Sequence, residues 1–174
     1  MERDKEIMNY QNYALGKWVI GDGDGTPLFN AITGIEIGEA SSKGLDFSEM
    51  MNYARKVGSP KLRKITFQQR GLMLKALALH LHGIKGKFYG LSAATGATKI
   101  DSWIDIEGGI GNLFANASLR RQFPDLPYHV DGVTAPLSKE GTFIGHHIMV
   151  PKRGVAIYFH PGSTYTVFKA EISD

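Results

Sequence analysis

A mixed α/β architecture, with one helical block held between two β blocks, is the fold class that three features of this chain predict. Short apolar runs separated by turn-forming clusters occupy residues 13–40. Apolar residues at helical spacing occupy residues 46–121, and extended apolar segments return at 142–150 and 155–159. With 174 residues, 43% of them hydrophobic, the chain is long enough for one domain that buries roughly 70% of its unfolded surface. No internal repeat, low-complexity stretch or long linker interrupts it.

Tyr13 to Ile20 reads as one strand ending at Gly21-Asp-Gly-Asp-Gly25, a run of strong turn formers. Leu28 to Ala31 and Ile35 to Ala40 flank Thr33-Gly34 and form a hairpin. Asp46 to Val57 sets Phe47, Met50, Met51 and Ala54 at helical spacing, and Gly58-Ser-Pro60 is expected to end that helix, because proline disfavours helical geometry in the residue before it. Thr66-Phe-Gln-Gln69 fits a capping box opening a helix to about His82. A third helix spans about Lys85 to Thr95 and stops at Gly96, a left-handed cap. The fourth runs from about Lys99 to Arg121, with Thr98 as its cap. Beyond it, Thr142 to Val150 and Val155 to Phe159 are extended around Pro151-Lys-Arg-Gly154.

The fourth helix is unusual in holding Gly108, Gly109 and Gly111. Each interior glycine costs up to about 1 kcal/mol relative to alanine. Three together mark a face that a ligand or another backbone approaches closely. Tight helix packing is the alternative explanation.

Composition narrows the chemistry. The 20 basic and 17 acidic residues are spread without a block of like charge, so no nucleic-acid partner is expected. There is no cysteine, which removes disulfides, thiolate metal sites and a cysteine nucleophile. The charged start, Met1-Glu-Arg-Asp-Lys-Glu6, and the lack of a long apolar span predict neither secretion nor a membrane, and a cytoplasmic location.

Other candidates read more simply as structure. Asp22-Gly-Asp24 resembles the opening of a calcium loop without its closing acid, and a turn is preferred. His80 and His82 do not share a helical face, and neighbours His146 and His147 point to opposite sides of a strand, so no metal site is expected. Gly109-Ile-Gly111 lies inside a helix rather than in a strand-to-helix turn, unlike a dinucleotide fingerprint. Asp101, Asp105 and Glu107 are placed as dipole and solvent compensation near a helix N-terminus. Lys61, Arg63, Lys64, Arg120 and Arg121 read as solvated helix ends.

Several segments together resemble a known family: Phe29 to Gly34, Ser42 to Asp46, Leu62 to Phe67 with Arg70, Thr95 to Thr98, Asp101 to Gly111, Leu137 to Gly141 and Gly154 to Ala156. The chain from about Tyr13 to Ile157 resembles the N-terminal part of an aldehyde dehydrogenase. More closely, it resembles the dehydrogenase half of the bifunctional ring-opening enzymes of phenylacetate degradation, in which an oxepin-CoA hydrolase domain follows. The segment around Trp103 is the specific one. The resemblance implies an incomplete aldehyde dehydrogenase fold divided into residues 1–12, an extension; 13–157, the N-terminal part of the domain; and 158–174, a divergent tail.

Within that resemblance, a strand pair at about Thr142 to Lys152 belongs to an oligomerisation arm. The strand at about Val155 to Phe159 opens the nucleotide-binding sheet, with Phe159, His160 and Pro161 at the cofactor-contact positions. Ile106, Gly108 and Gly109 face a substrate passage. The complete family oxidises an aldehyde, here a CoA-linked semialdehyde, through a cysteine thiolate, with hydride transfer to NADP or NAD and a glutamate-activated water. This sequence holds no such cysteine, and Ser163 stands where the oxyanion-hole asparagine belongs. The resemblance therefore implies a truncated product with no catalytic residues, binding neither cofactor nor metal and inactive alone. It also implies a homo-oligomer, or pairing with a full-length dehydrogenase as a non-catalytic interaction module. The strands from Thr142 to Phe159 are expected to lack pairing partners within the chain.

Overall fold

The structure, a computed structural model, describes residues 8–156. Five short strands come first: β1 (Met8–Tyr10), β2 (Asn12–Ala14), β3 (Lys17–Val19), β4 (Thr26–Phe29) and β5 (Glu36–Ala40). The helices follow as α1 (Phe47–Tyr53), α2 (Ser59–Lys64), α3 (Phe67–Ile84), α4 (Gly86–Ala94) and α5 (Lys99–Ser118). A pair of strands, β6 (His129–Pro136) and β7 (Ile144–Met149), closes the described chain.

The strand expected over Tyr13–Ile20 is instead the β2–β3 hairpin, which pairs Tyr13 with Trp18. Its two-residue turn is Leu15-Gly16, with φ of 53° and 83°. A tight hairpin turn that matches strand twist needs positive φ at both central residues. Glycine meets that demand freely, whereas Leu15 is held there against its preference, which is why the turn was not legible. The second hairpin forms as expected. The Asn30 side chain accepts from the amides of Ile32 and Thr33 at 2.9 and 3.1 Å, and Gly34 takes φ 67°. The resulting sheet has the order β1-β5-β4, with β1 parallel to β5. Residues 8–10, within the segment read as an extension, thus belong to the first sheet.

The expected break at Gly58-Ser-Pro60 does not occur. Between α1 and α2 the backbone widens into a π-helical turn over Ala54–Gly58, and the Ser59 amide bonds the Ala54 carbonyl five residues back. Pro60 then sits in the first turn of α2. Proline is tolerated there because that amide has no helical partner to lose, and the wider turn relieves the ring's clash with the preceding carbonyls.

Both predicted N-terminal caps are present. Thr66 Oγ1 accepts from the Gln69 amide at 3.1 Å, and Gln69 Oε1 accepts from the Thr66 amide at 2.9 Å. Thr98 and Asp101 repeat the arrangement at α5. The third helix ends at Gly96 with φ 88°, and Ala94 at its end accepts from the Ala31 amide at 2.8 Å, joining the second hairpin to the helices.

The core lies where α3 crosses α5. Gly71 and Ala78, seven apart on α3, are buried, as are Ile110 and Ala117, seven apart on α5. An interval of seven places each pair on one face of its helix, and small residues let the two axes come close. The end of α5 is fastened to the start of α3. Gln68 Nε2 donates to the carbonyls of Arg120 and Phe123 at 2.7 and 3.0 Å, and Phe67 stacks on Phe123 at 4.5 Å. Arg70 donates to the carbonyls of Ile65 and Pro127.

The closing strands differ from expectation. β7 has an antiparallel partner within the chain: β6 pairs with it from His129 opposite Met149 to Pro136 opposite Ile144, with an irregularity between Val130 and Thr134. The strand pair is therefore formed by residues 129–149 rather than 142–152. Gly132 and Pro136, both poor strand residues, masked β6 in the sequence. Val155 and Ala156 carry no strand, and the remainder of that expected strand lies outside the described residues.

Candidate functional site

The outward face of α5 is the candidate surface. Its inward positions, Ser102, Ile110 and Ala117, are buried, which turns Ile100, Trp103 and Ile104 outward with exposures of 70%, 58% and 53%. Of the predicted passage residues, Ile106 and Gly109 are half-buried and Gly108 is exposed. A side-chain carbon added at Gly108, Gly109 or Gly111 would meet no atom within 4 Å among the described residues. The glycines therefore do not serve close packing inside the described chain. That role belongs to Gly71 on α3, where an added carbon would lie 2.7 Å from Arg120 Cβ and 2.9 Å from the Ala117 carbonyl oxygen. A lone glycine in an amphipathic stripe carries no sequence signal that separates it from an incidental one.

Beside the open face, α4 and α5 are joined by polar contacts. Lys85 Nζ donates to Glu107 Oε1 at 2.5 Å, Tyr89 Oη donates to the same oxygen at 3.4 Å, and the hydroxyls of Ser92 and buried Ser102 lie 2.8 Å apart. The Lys85 hydrogen bond holds the Glu107 carboxyl below its ordinary range, against the opposing effect of partial burial. Burial, followed by the nearby Glu107 charge, pushes the Tyr89 phenol up. Because the folded state favours ionised Glu107, its contribution is complete above the ordinary carboxyl value of 4.5 and is lost as pH falls through the lower folded-state value. Glu107→Gln is expected to remove that dependence. The stability difference between wild type and variant, followed by thermal melts, should shrink as pH falls below 4.5, and a pH-independent difference would exclude this role.

The other acidic candidates do not converge on a reaction centre. Asp101 is occupied at the α5 cap, accepting from Thr98 Oγ1 at 2.6 Å. No group of three histidine or acidic side chains among the described residues is arranged to hold a metal. His80, His82, His146 and His147 are all exposed. The Asp22 segment is a structural clasp: its amide donates to the Lys43 carbonyl at 2.9 Å, and its carbonyl accepts from Ser41 Oγ at 3.0 Å. Two basic residues read as solvated ends are otherwise engaged. Arg120 packs on Gly71 and donates to the Ala117 carbonyl at 2.8 Å, while Arg63 Nε is shut off from solvent.

Among the described residues, neither the Gly109 segment nor the turn from β5 into α1 has the form of a dinucleotide fingerprint. Gly109-Ile-Gly111 is helical throughout. The turn from β5 into α1 holds a single glycine, Gly44, and the Asp22 carboxylate stands against it, where a pyrophosphate would meet a like charge. Phe159, His160, Pro161 and Ser163 lie outside the described residues. No described helix is long and apolar enough to cross a membrane.

No family model matches the chain. The 3,4-dehydroadipyl-CoA semialdehyde dehydrogenase of Aromatoleum evansii is 29% identical to it over 154 residues, which are 88% of this chain and 30% of that protein. The chain is thus similar to a CoA-linked semialdehyde dehydrogenase while spanning about 30% of that relative's length.

Proposed function

We propose that this chain is the N-terminal part of a cytoplasmic, NADP- or NAD-dependent aldehyde dehydrogenase unit for CoA-linked semialdehydes, of the type used in phenylacetate catabolism, and that it has no turnover alone. The similarity across 88% of the chain carries this reading. In it, the two hairpins and α1–α5 are the opening layer of the dehydrogenase fold, and β6–β7 is its oligomerisation arm. Exposed Gly108 and half-buried Ile106 and Gly109 on α5 line the substrate's path. The nucleophile must come from elsewhere, since these 174 residues hold no cysteine and no other side chain type supplies a comparable thiolate at neutral pH.

The purified chain is expected to reduce neither NAD nor NADP with any aldehyde, CoA-linked or free. Absorbance of the reduced nicotinamide at enzyme concentrations far above catalytic levels checks this, and turnover by the cysteine-free chain would refute it.

One observation favours a second reading, a non-catalytic module that pairs with a full-length dehydrogenase or with its own copies. The β6–β7 ribbon exposes Val133, Ile144 and Ile148 at 67%, 56% and 58%, and two strands alone are marginal in water without a covering partner. Light scattering of the chain, alone and mixed with a full-length homologue, distinguishes the cases. A monomer in both would exclude the module.

A further inference from the structure

We propose that the cleft between the α1–α2 helical run and the segment after β7 binds a phosphate-bearing anion. Arg55, Ser59 and Arg63 follow one another at intervals of four residues, which brings them to one side of the helical run. Arg153 and Gly154, just beyond β7, form the opposite side. The cleft between them has a volume of about 390 Å³, within the range of small-ligand sites.

Its chemistry is one-sided. Among the described residues, three guanidinium groups and a hydroxyl line the cleft and no carboxylate does. No ion pair among the described residues engages Arg55, Arg63 or Arg153; the Lys85–Glu107 pair lies elsewhere, between the start of α4 and α5. Like charges gathered around a concavity without a counter-charge raise the potential there and concentrate anions. Arg63 as a residue is half-buried, with its inner Nε shut off from solvent. Guanidinium forks match phosphate oxygens in pairs, and the Ser59 hydroxyl adds another donor. The site requires no dehydrogenase activity and is separate from the open face of α5.

The shared chemistry is a phosphate or diphosphate group, supplied by an inorganic anion or by a nucleotide ester. Isothermal titration calorimetry of the full chain with pyrophosphate and with ADP separates these sources. Saturable binding is expected for at least one of them, tighter for whichever is the natural form and weakening as salt rises. Arg63→Gln and Arg153→Gln should each weaken it about tenfold, the size of one lost charge-assisted hydrogen bond, while Lys99→Gln on α5 should leave it unchanged. Arg153 lies outside every helix and strand, so its variant tests the site even if Arg63→Gln disturbs folding, which circular dichroism would reveal. No saturable binding of either ligand, or binding indifferent to Arg153→Gln, would overturn the proposal. Equally tight binding of tricarballylate would do the same, and would mark the cleft as a seat for carboxylates of another protein segment.

Discussion

Alanine at Gly71 is expected to destabilise the chain, and alanine at Gly108 to stabilise it, although both glycines lie inside long helices. At Gly108 the new methyl group meets open space, so the helix gains only the lower backbone entropy of its unfolded state, about 0.5–1 kcal/mol. At Gly71 the methyl group would lie 2.7 and 2.8 Å from Arg120 Cβ and Cδ and 2.9 Å from the Ala117 carbonyl oxygen. The arginine end can swing away, but the carbonyl belongs to α5 and moves only with the helix. Overpacking of this kind costs about 1–3 kcal/mol, which exceeds the propensity gain. Valine at Gly71 should cost more still, since its second methyl group enlarges the clash and β-branching disfavours a helix. Urea midpoints of the single variants provide the measurement. If both alanine variants shift in the same direction, the α3–α5 crossing is not set by Gly71.

In an intact homologous dehydrogenase, leucine at the position of Gly108 is expected to raise KM for a bulky CoA-linked aldehyde about tenfold, and to leave KM for a small aldehyde nearly unchanged. The expectation rests on the proposed passage. Gly108 is exposed and a carbon added there meets no described atom within 4 Å, and in the proposed passage a four-carbon side chain narrows the path only for a substrate that fills it. A loss of substrate binding worth about 1.4 kcal/mol appears as a tenfold change. Equal losses for both substrates, together with a lower melting temperature, would show that the glycines accommodate packing against another part of the full-length enzyme. That outcome would end the passage reading without affecting the behaviour of Gly71 here.

The features legible before any coordinates are those decided within a few residues. The Thr66–Gln69 box and the Thr98 cap form as expected, because each needs only the amides one turn away; that Asp101 completes a second box is visible only in the structure. Gly34 and Gly96 announce their turns through a freedom of φ that belongs to the residue itself, whereas the Asn30 acceptor at the first of these turns lies in a run that reads as strand. Features requiring a distant partner were not legible. The fold at Leu15-Gly16 depends on β2 and β3 pairing strongly enough to hold a leucine at positive φ. Pro60 continues a helix because the preceding backbone widens around it.

The candidate site divides in the same way. The glycine cluster on α5 was visible in the sequence, which allowed either a place of close approach for a ligand or tight helix packing. Whether the approaching group belongs to this chain was not visible, and the structure leaves that face open among the described residues. The Arg55, Ser59 and Arg63 series was present at regular spacing, but its cleft exists only because residue 153, ninety positions later, returns to face it. Amino-acid sequence alone determined the helical block, the caps of its two long helices and the absence of thiol chemistry, since these follow from local hydrogen bonding and composition. Tertiary structure alone decided that Gly71 is the contact glycine, that β6 partners β7, and that three arginines share a cleft. Each of these depends on bringing together groups far apart in the chain, and no local preference encodes that closure.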